Sequence, residues 1–196
     1  MRTPLDESAL DVLFRHARSQ NGWRNEPLPE GILESIWDLA KLGPTSANTE
    51  PMRVVWCVSP QARQRLADCC SAKNAPKVLS APATAIIGHD LRFFDSLPEL
   101  FPHTDARPWF TGNDALIEST AMRNGTLQGA YLILAARALG LDVGPMSGFD
   151  EAKVEQAFFA GTRIKVNFIC SIGTGDPTKV MPRLPRLSFD TTNVVL

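Results

Sequence analysis

The sequence predicts an α+β protein: one domain over residues 1–196, with a mixed sheet surrounded by helices and a single long helix at its centre. Three observations carry this expectation. Apolar, β-branched runs are few and widely spaced, at 53–58, 83–89 and 163–173, with a shorter extended piece at 142–146. Segments of helical periodicity precede and separate them. One such segment, 114–139, is far longer than the roughly 11–12 residues of an ordinary globular helix. The chain has 196 residues, 44% of them hydrophobic, enough to bury a sizeable core.

In residues 6–20, Leu10, Leu13, Phe14 and Ala17 recur at helical spacing, and Asn21-Gly22 is a suitable stop. Residues 29–42 form the second predicted helix, with a broad face of Ile32, Leu33, Ile36, Trp37, Leu39 and Ala40, closed by Gly43-Pro44. "RVVWCV" (53–58) reads as a buried strand, 60–72 as a short amphipathic helix and "ATAIIGH" (83–89) as a second strand. From 91 to 113 aromatics, prolines and charges mix without a period, which predicts short helices in an excursion that covers something. The long helix is opened by Asn113 or Asp114 and closed by Gly140. Gly125 and Gly129 lie one turn apart in it and predict close approach of another backbone. "DVGPM" (142–146), a helix at 150–159 and the strand "RIKVNFICSIG" (163–173) follow. The tail from 177 has no period and ends in the apolar Val194-Val195-Leu196.

Several function classes are disfavoured. A net charge of −1 and the absence of a basic run argue against a nucleic-acid partner. The longest apolar stretches fall short of the roughly 18 residues that span a bilayer, so no membrane partner is expected. The polar opening Met1 to Glu7 has no apolar signal region, which points to a cytoplasmic protein. Cys57, Cys69, Cys70 and Cys170 include no Cys-x-x-Cys pair and read as reduced, mostly buried thiols. With His16, His89 and His103 scattered, no metal-site spacing is present. Gly173-Thr174-Gly175-Asp176 follows a strand but lacks a third glycine and a following helix, so it is not a dinucleotide fingerprint.

Four separated pieces carry chemistry: Arg18-Ser19, the loop Pro44-Thr45-Ser46-Ala47-Asn48, Asn74-Ala75-Pro76-Lys77, and Arg183-Leu184-Pro185-Arg186. Each alone has an ordinary reading. Arg18 suits a helix end, Asn74 to Lys77 a turn, and Arg183 and Arg186 a charged tail. The loop is the exception, because its run of prolines and small hydrogen-bonding side chains exceeds what a turn needs.

Taken in order, the pieces resemble the FMN-dependent nitroreductase family over nearly the whole chain. The carriers are Arg18-Ser19 followed by Glu26-Pro27-Leu28-Pro29, the Pro-Ser-x-x-Asn-x-x-Pro-like stretch from Pro44 to Pro51 before a buried strand, Ala138-Leu139-Gly140-Leu141, and Gly144 to Asp150. "NGWR" (21–24), "GPTSAN" (43–48), "LFPHTDARPWF" (100–110), "GPMSGFD" (144–150) and "LPRLSF" (184–189) look like the branch that contains the malonic-semialdehyde reductase of pyrimidine catabolism. Ala17, Glu50, Met52 and Leu184 depart from the wider family's pattern, leaving Arg18, Lys77 and Arg186 as the main phosphate cations.

The resemblance implies a nitroreductase-like fold, FMN as cofactor, and NADPH or NADH as hydride donor; the preferred nicotinamide has no legible determinant. It implies a ping-pong reaction through flavin N5, with no obligatory catalytic side chain. The cofactor residues it implies are Arg18, Ser19, Pro44, Thr45, Ser46, Asn48, Asn74, Lys77, Pro145, Met146, Ser147, Gly148, Arg183 and Arg186. Arg forks and a Lys point charge suit a dianionic phosphate; the Pro-fixed loop and the 144–148 segment suit the two walls of a flavin ring. The excursion becomes a substrate roof, with His103, Arg107, Trp109 and Phe110 facing an acidic aldehyde. Equally open is that Arg107 pairs with Asp105 or Asp95 and Trp109 fills a core gap. A homodimer is implied, with FMN at the interface, a C-terminal arm around the partner, and Gly125 and Gly129 in a symmetric helix contact. Three activities remain: reduction of malonic semialdehyde to 3-hydroxypropanoate, broad nitro or quinone reduction, and non-catalytic FMN binding.

Overall fold

The computed structural model of the protein describes residues 3–196. In chain order the elements are α1 (Glu7–Leu10), α2 (Ile32–Ala40), β1 (Met52–Cys57), α3 (Pro60–Ala67), α4 (Ala75–Ser80), β2 (Ala83–Asp90), α5 (Leu97–Leu100), α6 (Asp114–Ala138), β3 (Asp142–Met146), α7 (Glu151–Phe158), β4 (Ile164–Gly173) and α8 (Phe189–Thr192). The strands pair in the order β1-β2-β4-β3, and each ladder is antiparallel. Strand β2 lies inside the sheet and is buried from Ala83 to His89, as its unbroken apolar run requires. A bulge between Ile87 and Gly88 shifts its register against β4. The four-stranded sheet is therefore antiparallel, not the mixed sheet the sequence predicts; the parallel pairing is a single isolated bridge from Ser19 to Val143 beside the β3 edge.

Helices cover both faces. On one, Ile36 and Ala40 of α2 and Leu132, Ala135 and Ala136 of α6 pack on Met52, Ile87, Cys170 and Ile172. On the other, Leu66 of α3, Val78 of α4 and Val154 of α7 pack on Cys57, Ile86 and Ile169. Removing each fully buried Leu or Ile from water contributes about 1.5–3 kcal/mol. A third cluster joins Phe93, Leu97, Ala106 and Phe110 to Ile117 and Ala121 of α6, so the 91–113 segment is seated on the first half of the long helix.

Helix α6 has 25 residues and is about 37 Å long. The Asn113 side chain caps it by accepting the Leu116 N–H, and Gly140 follows its end with φ 80°. Gly125 and Gly129 do permit close approach, but not to a partner. A Cβ on Gly125 would lie 2.9 Å from Cβ of His89, and one on Gly129 would lie 2.6 Å from Cζ of Phe168. Both glycines face this chain's own sheet, which removes them from any symmetric helix contact.

Three local expectations change. Asp6 caps α1, which passes into a π-helical turn at Asp11–Arg15 and stops there, short of residue 20. Residues 19–24 instead form an edge: Gln20 N–H donates to Val143 O at 2.9 Å, Trp23 bridges Gly175, and Arg24 N–H donates to Thr174 O at 2.9 Å. Sheet-edge pairing outweighs the helical period of Phe14 and Ala17. The helix expected at 60–72 ends at Ala67, and α4 begins at Ala75, where a turn was expected. Beyond α7 and β4, residues 181–196 are exposed, including Met181, Leu184, Leu187, Phe189, Val194 and Val195.

Candidate functional site

The edge formed by 19–24 delivers Arg18 and Ser19 to a cavity of about 610 Å³ beside the start of the tail. Arg18, Ser19, Arg137, Arg183 and Arg186 line it together with Phe14, Ala17, Asn21 and Met181 to Leu184, and its lining includes no carboxylate. The arginines are braced by backbone oxygens. Arg18 donates to Met181 O, Arg183 to Arg15 O and, at 3.0 Å, to Ala17 O, and Arg137 to Leu13 O at 2.9 Å. A guanidinium has five donors, so this bracing leaves N–H groups for an anion. Among the described residues, Arg186 bonds only its own neighbours' carbonyls, Leu184 at 2.9 Å and Pro185 at 3.1 Å. Burial lowers the Arg137 pKa; Cys170 and Asp142 raise it and Arg183 lowers it further.

A second group lies at the end of β3. Asn74 Nδ2 donates to Gly148 O at 3.2 Å and Ser71 N–H donates to the same oxygen at 3.0 Å. A Cβ on Gly148 would stand 2.6 Å from Asn74 Nδ2, so the glycine is what permits this seam. Pro145 and Ser147 are exposed, and Met146 and Gly148 half-buried. Lys77, on α4, does not line the arginine cavity; burial lowers its pKa and the nearby Lys73 charge adds to that.

The 44–48 loop is not part of the arginine cavity of the same chain. Its backbone is strained: Ala47, Asn48 and Glu50 have φ of 47°, 50° and 38°, the positive-φ non-glycine residues among those described. Such residues cost about 1–3 kcal/mol each, less for Asn, and persist where the surroundings hold them. Here α6 holds them. Asn124 Oδ1 accepts the Ser46 N–H at 2.8 Å, Gln128 Oε1 accepts the Met52 N–H at 2.9 Å, and the Tyr131 hydroxyl donates to Pro44 O at 2.9 Å. Within the loop, Thr45 Oγ1 accepts the Glu50 N–H at 3.3 Å. Asn48 Nδ2 donates to Leu100 O at 2.9 Å, tying the loop to the 91–113 segment.

In that segment Arg107 makes a two-point contact with Asp105, at 2.9 and 3.0 Å, the alternative that the sequence left open. His103 and Trp109 are exposed and stand edge-on to Phe101. Phe110 is buried edge-on to Phe93 at 4.9 Å and fills the third core cluster.

Sequence reasoning missed Arg137, Gln20 and the polar residues of α6, and it singled out "NGWR" (21–24) without the edge pairing that Trp23 makes. Asn124 and Gln128 did carry a signal, since both sit in a helix otherwise buried by apolar and small residues. Arg137 carried none, because a last-turn arginine is ordinary for a helix.

A helix-covered antiparallel sheet, with an arginine-lined cavity where the N-terminal edge meets the tail, defines the class as an α+β protein with an arginine-rich cavity at its sheet edge. The nitroreductase family model matches residues 15–174, and the chain belongs to the nitroreductase family. A Burkholderia lata protein named NADH dehydrogenase/NAD(P)H nitroreductase is 57% identical over 188 residues, 96% of each chain. HadB of Ralstonia pickettii, carrying the same description, is 56% identical over 185 residues, 93% of this chain and 94% of that one. Among solved structures, an Exiguobacterium sibiricum nitroreductase in complex with FMN superposes with a TM-score of 0.85 at 19% identity, covering 100% of this chain and 99% of that one. The fold is thus that of the nitroreductases, and the protein is an oxidoreductase of the NAD(P)H nitroreductase type.

Proposed function

We propose that this protein is an FMN-dependent NAD(P)H oxidoreductase that reduces a small aldehyde acid, most simply malonic semialdehyde to 3-hydroxypropanoate. The observation that carries the cofactor is the cavity formed by Arg18, Ser19, Arg137, Arg183 and Arg186, rich in guanidinium donors and free of lining carboxylates. That donor set fits a dianionic phosphate. FMN, when bound, supplies the hydride chemistry between nicotinamide and substrate. The chain's own residues bind and orient: the arginines hold the phosphate end, the Gly148–Asn74 seam offers a close backbone wall, and the strained loop offers Ser46 and Asn48, which stay exposed.

The loop and the arginine cavity belong to different parts of one chain, and residues 181–196 expose an apolar row. Both features support a homodimer in which each loop completes the partner's site and each tail covers the partner. The 91–113 segment then serves as the substrate roof, within a single domain spanning 1–196.

A second reading, broad nitro or quinone reduction, is favoured by the roof's charges. Arg92 is paired with Asp95 and Arg107 with Asp105, so neither arginine of the segment is unpaired. Anaerobic reduction by NADPH followed by malonic semialdehyde decides between them. Flavin absorbance that bleaches and returns with the aldehyde supports the aldehyde reductase. Return only with a nitroarene or quinone supports the broader enzyme. A chain that takes up no FMN refutes both.

A further inference from the structure

We infer that Asn124, Gln128 and Tyr131 of α6 are positioning residues, a three-point clamp that holds loop 43–52 in the conformation that presents Ser46 and Asn48; its consequence for cofactor binding rests on the FMN reading above. The three residues are spaced four and three apart, so they project from one face of the helix. Each engages a different part of the loop backbone: Tyr131 the Pro44 carbonyl, Asn124 the Ser46 amide and Gln128 the Met52 amide. Between these anchors lie Ala47, Asn48 and Glu50, all with positive φ. None is glycine, and an unrestrained chain would relax Ala47 and Glu50 into the right-handed or extended regions.

The chemistry of the clamp is costly unless it has a purpose. Gln128 is fully buried, and its Nε2 has no partner among the described residues; Thr49 beside the anchors is also fully buried, and its Oγ1 has none among them either. A purely structural helix–sheet contact is better served by Leu or Met at position 128, which would leave no orphaned donor. What Gln supplies and Leu cannot is an acceptor for the Met52 N–H, at the point where the loop enters β1. Asn124 is used fully: its Oδ1 accepts from Ser46 while its Nδ2 donates to Thr120 O at 2.9 Å, which fixes the amide's orientation. Arg53 reinforces the exit, donating to Glu50 O and Met52 O at 3.0 Å each while paired with Asp90 at 3.1 Å. Because Asn48 bonds Leu100, the clamp also sets the position of the 91–113 segment relative to the loop.

The test compares wild type, Gln128→Met, Gln128→Glu and Tyr131→Phe as full chains. Amide hydrogen exchange on the FMN-free protein is the first readout. Wild type is expected to protect Ser46 and Met52. Gln128→Met should lose protection at Met52 by about tenfold or more, the scale of one buried hydrogen bond, with the β2 and β4 amides unchanged. Gln128→Glu should restore it, since burial favours the protonated acid, whose carbonyl still accepts. Tyr131→Phe, which removes only a hydroxyl, should fold normally and raise exchange at the loop's start. The second readout is FMN titration, where Gln128→Met should weaken binding about tenfold and Gln128→Glu should recover it. Ser46 and Met52 amides exchanging in wild type as fast as residues 181–196 would overturn the clamp, as would Gln128→Met and Tyr131→Phe with wild-type exchange and FMN affinity. A wild-type chain that binds no FMN would sink the cofactor reading, and exchange at Met52 would still decide the clamp.

Discussion

A Cβ on Gly43 would stand 2.0 Å from Cδ2 of Tyr131, whose hydroxyl donates to the carbonyl of the very next residue, Pro44. The absent side chain and the aromatic ring are thus one device: the ring fills the space and its oxygen fixes the chain that leaves α2. Gly43→Ala should destabilise the fold by about 1–3 kcal/mol through overpacking. Tyr131→Phe should cost about 1 kcal/mol, the net value of one hydrogen bond. Thermal or urea unfolding of both variants checks this, and a Gly43→Ala protein as stable as wild type would mean that the ring can swing aside freely.

Gly129 tests the orientation of α6. Its absent Cβ is what lets Phe168 and Ile87 approach the helix. Gly129→Val should lower the unfolding midpoint by the equivalent of about 1–3 kcal/mol. The protomer-to-dimer balance measured by light scattering should not change at temperatures where the variant is folded. A change in mass without loss of stability would place this face at a subunit contact instead.

The arginine cavity makes a prediction about FMN. Arg18→Ala and Arg186→Ala should each weaken FMN binding roughly tenfold to a hundredfold, the range for hydrogen bonds to a charged group. Arg183→Ala should do the same and also free the tail, because Arg183 tethers it to the carbonyls of Arg15 and Ala17. Limited proteolysis should therefore cleave the tail of Arg183→Ala faster than that of Arg186→Ala. Unchanged flavin fluorescence titrations for all three variants would remove the phosphate assignment.

His89 predicts a pH dependence of stability. It is buried at the end of β2, and its Nδ1 has no partner among the described residues. Burial holds its pKa below the ordinary 6.5; Glu155 raises it, Lys165 lowers it and Glu118 raises it, all by smaller amounts. The unfolded chain therefore binds the proton more readily than the folded one. This contribution to stability is fully present above about pH 6.5 and is lost as pH falls below it, until the folded-state pKa is reached. Urea unfolding between pH 8 and pH 5 should show a decline that His89→Gln reduces. An identical decline in the variant would assign it to other groups.

The thiols should be inert in the folded protein. Burial pushes Cys57 and Cys70 up to about 11 and Cys170 up to about 12, and Cys69 is raised as well. At pH 8 almost no thiolate is present at Cys57, Cys70 and Cys170, and the thiolate is the reactive form. A colorimetric disulfide reagent should label the native protein slowly and all four cysteines rapidly in denaturant. Rapid labelling of one native thiol would single out the half-buried Cys70.

Much of the frame was legible because it rests on local rules. The periodicity predicts a long helix over 114–139, and it runs Asp114–Ala138, with its Asn113 cap and Gly140 stop in place. The strands at 53–58, 83–89 and 163–173 lie within a residue or so of their positions, because continuous β-branched runs suit only a sheet covered on both faces. The first helix misled for a physical reason: its apolar period continues through Ala17, but Ser19 and Gln20 pair with Val143 of β3, and Trp23 and Arg24 pair with Gly175 and Thr174 just beyond β4. Gly125 and Gly129 show the same limit. Their spacing announces a close contact, and only the packed sheet decides that His89 and Phe168 fill it.

By itself, the sequence determined the class and the order of its main helices and strands, since propensity and periodicity are properties of short stretches, and it named candidate cations from their charge alone. Which of those residues share a place was decided by tertiary structure. It drew Arg18, Ser19, Arg183 and Arg186 into one cavity and added Arg137. It also buried Phe110, turned Arg107 onto Asp105, and set Asn124, Gln128 and Tyr131 against a loop more than 70 residues earlier in the chain. Hydrogen bonds and buried contacts at such separations depend on how the helix lies across the sheet, and no local pattern of residues encodes that angle.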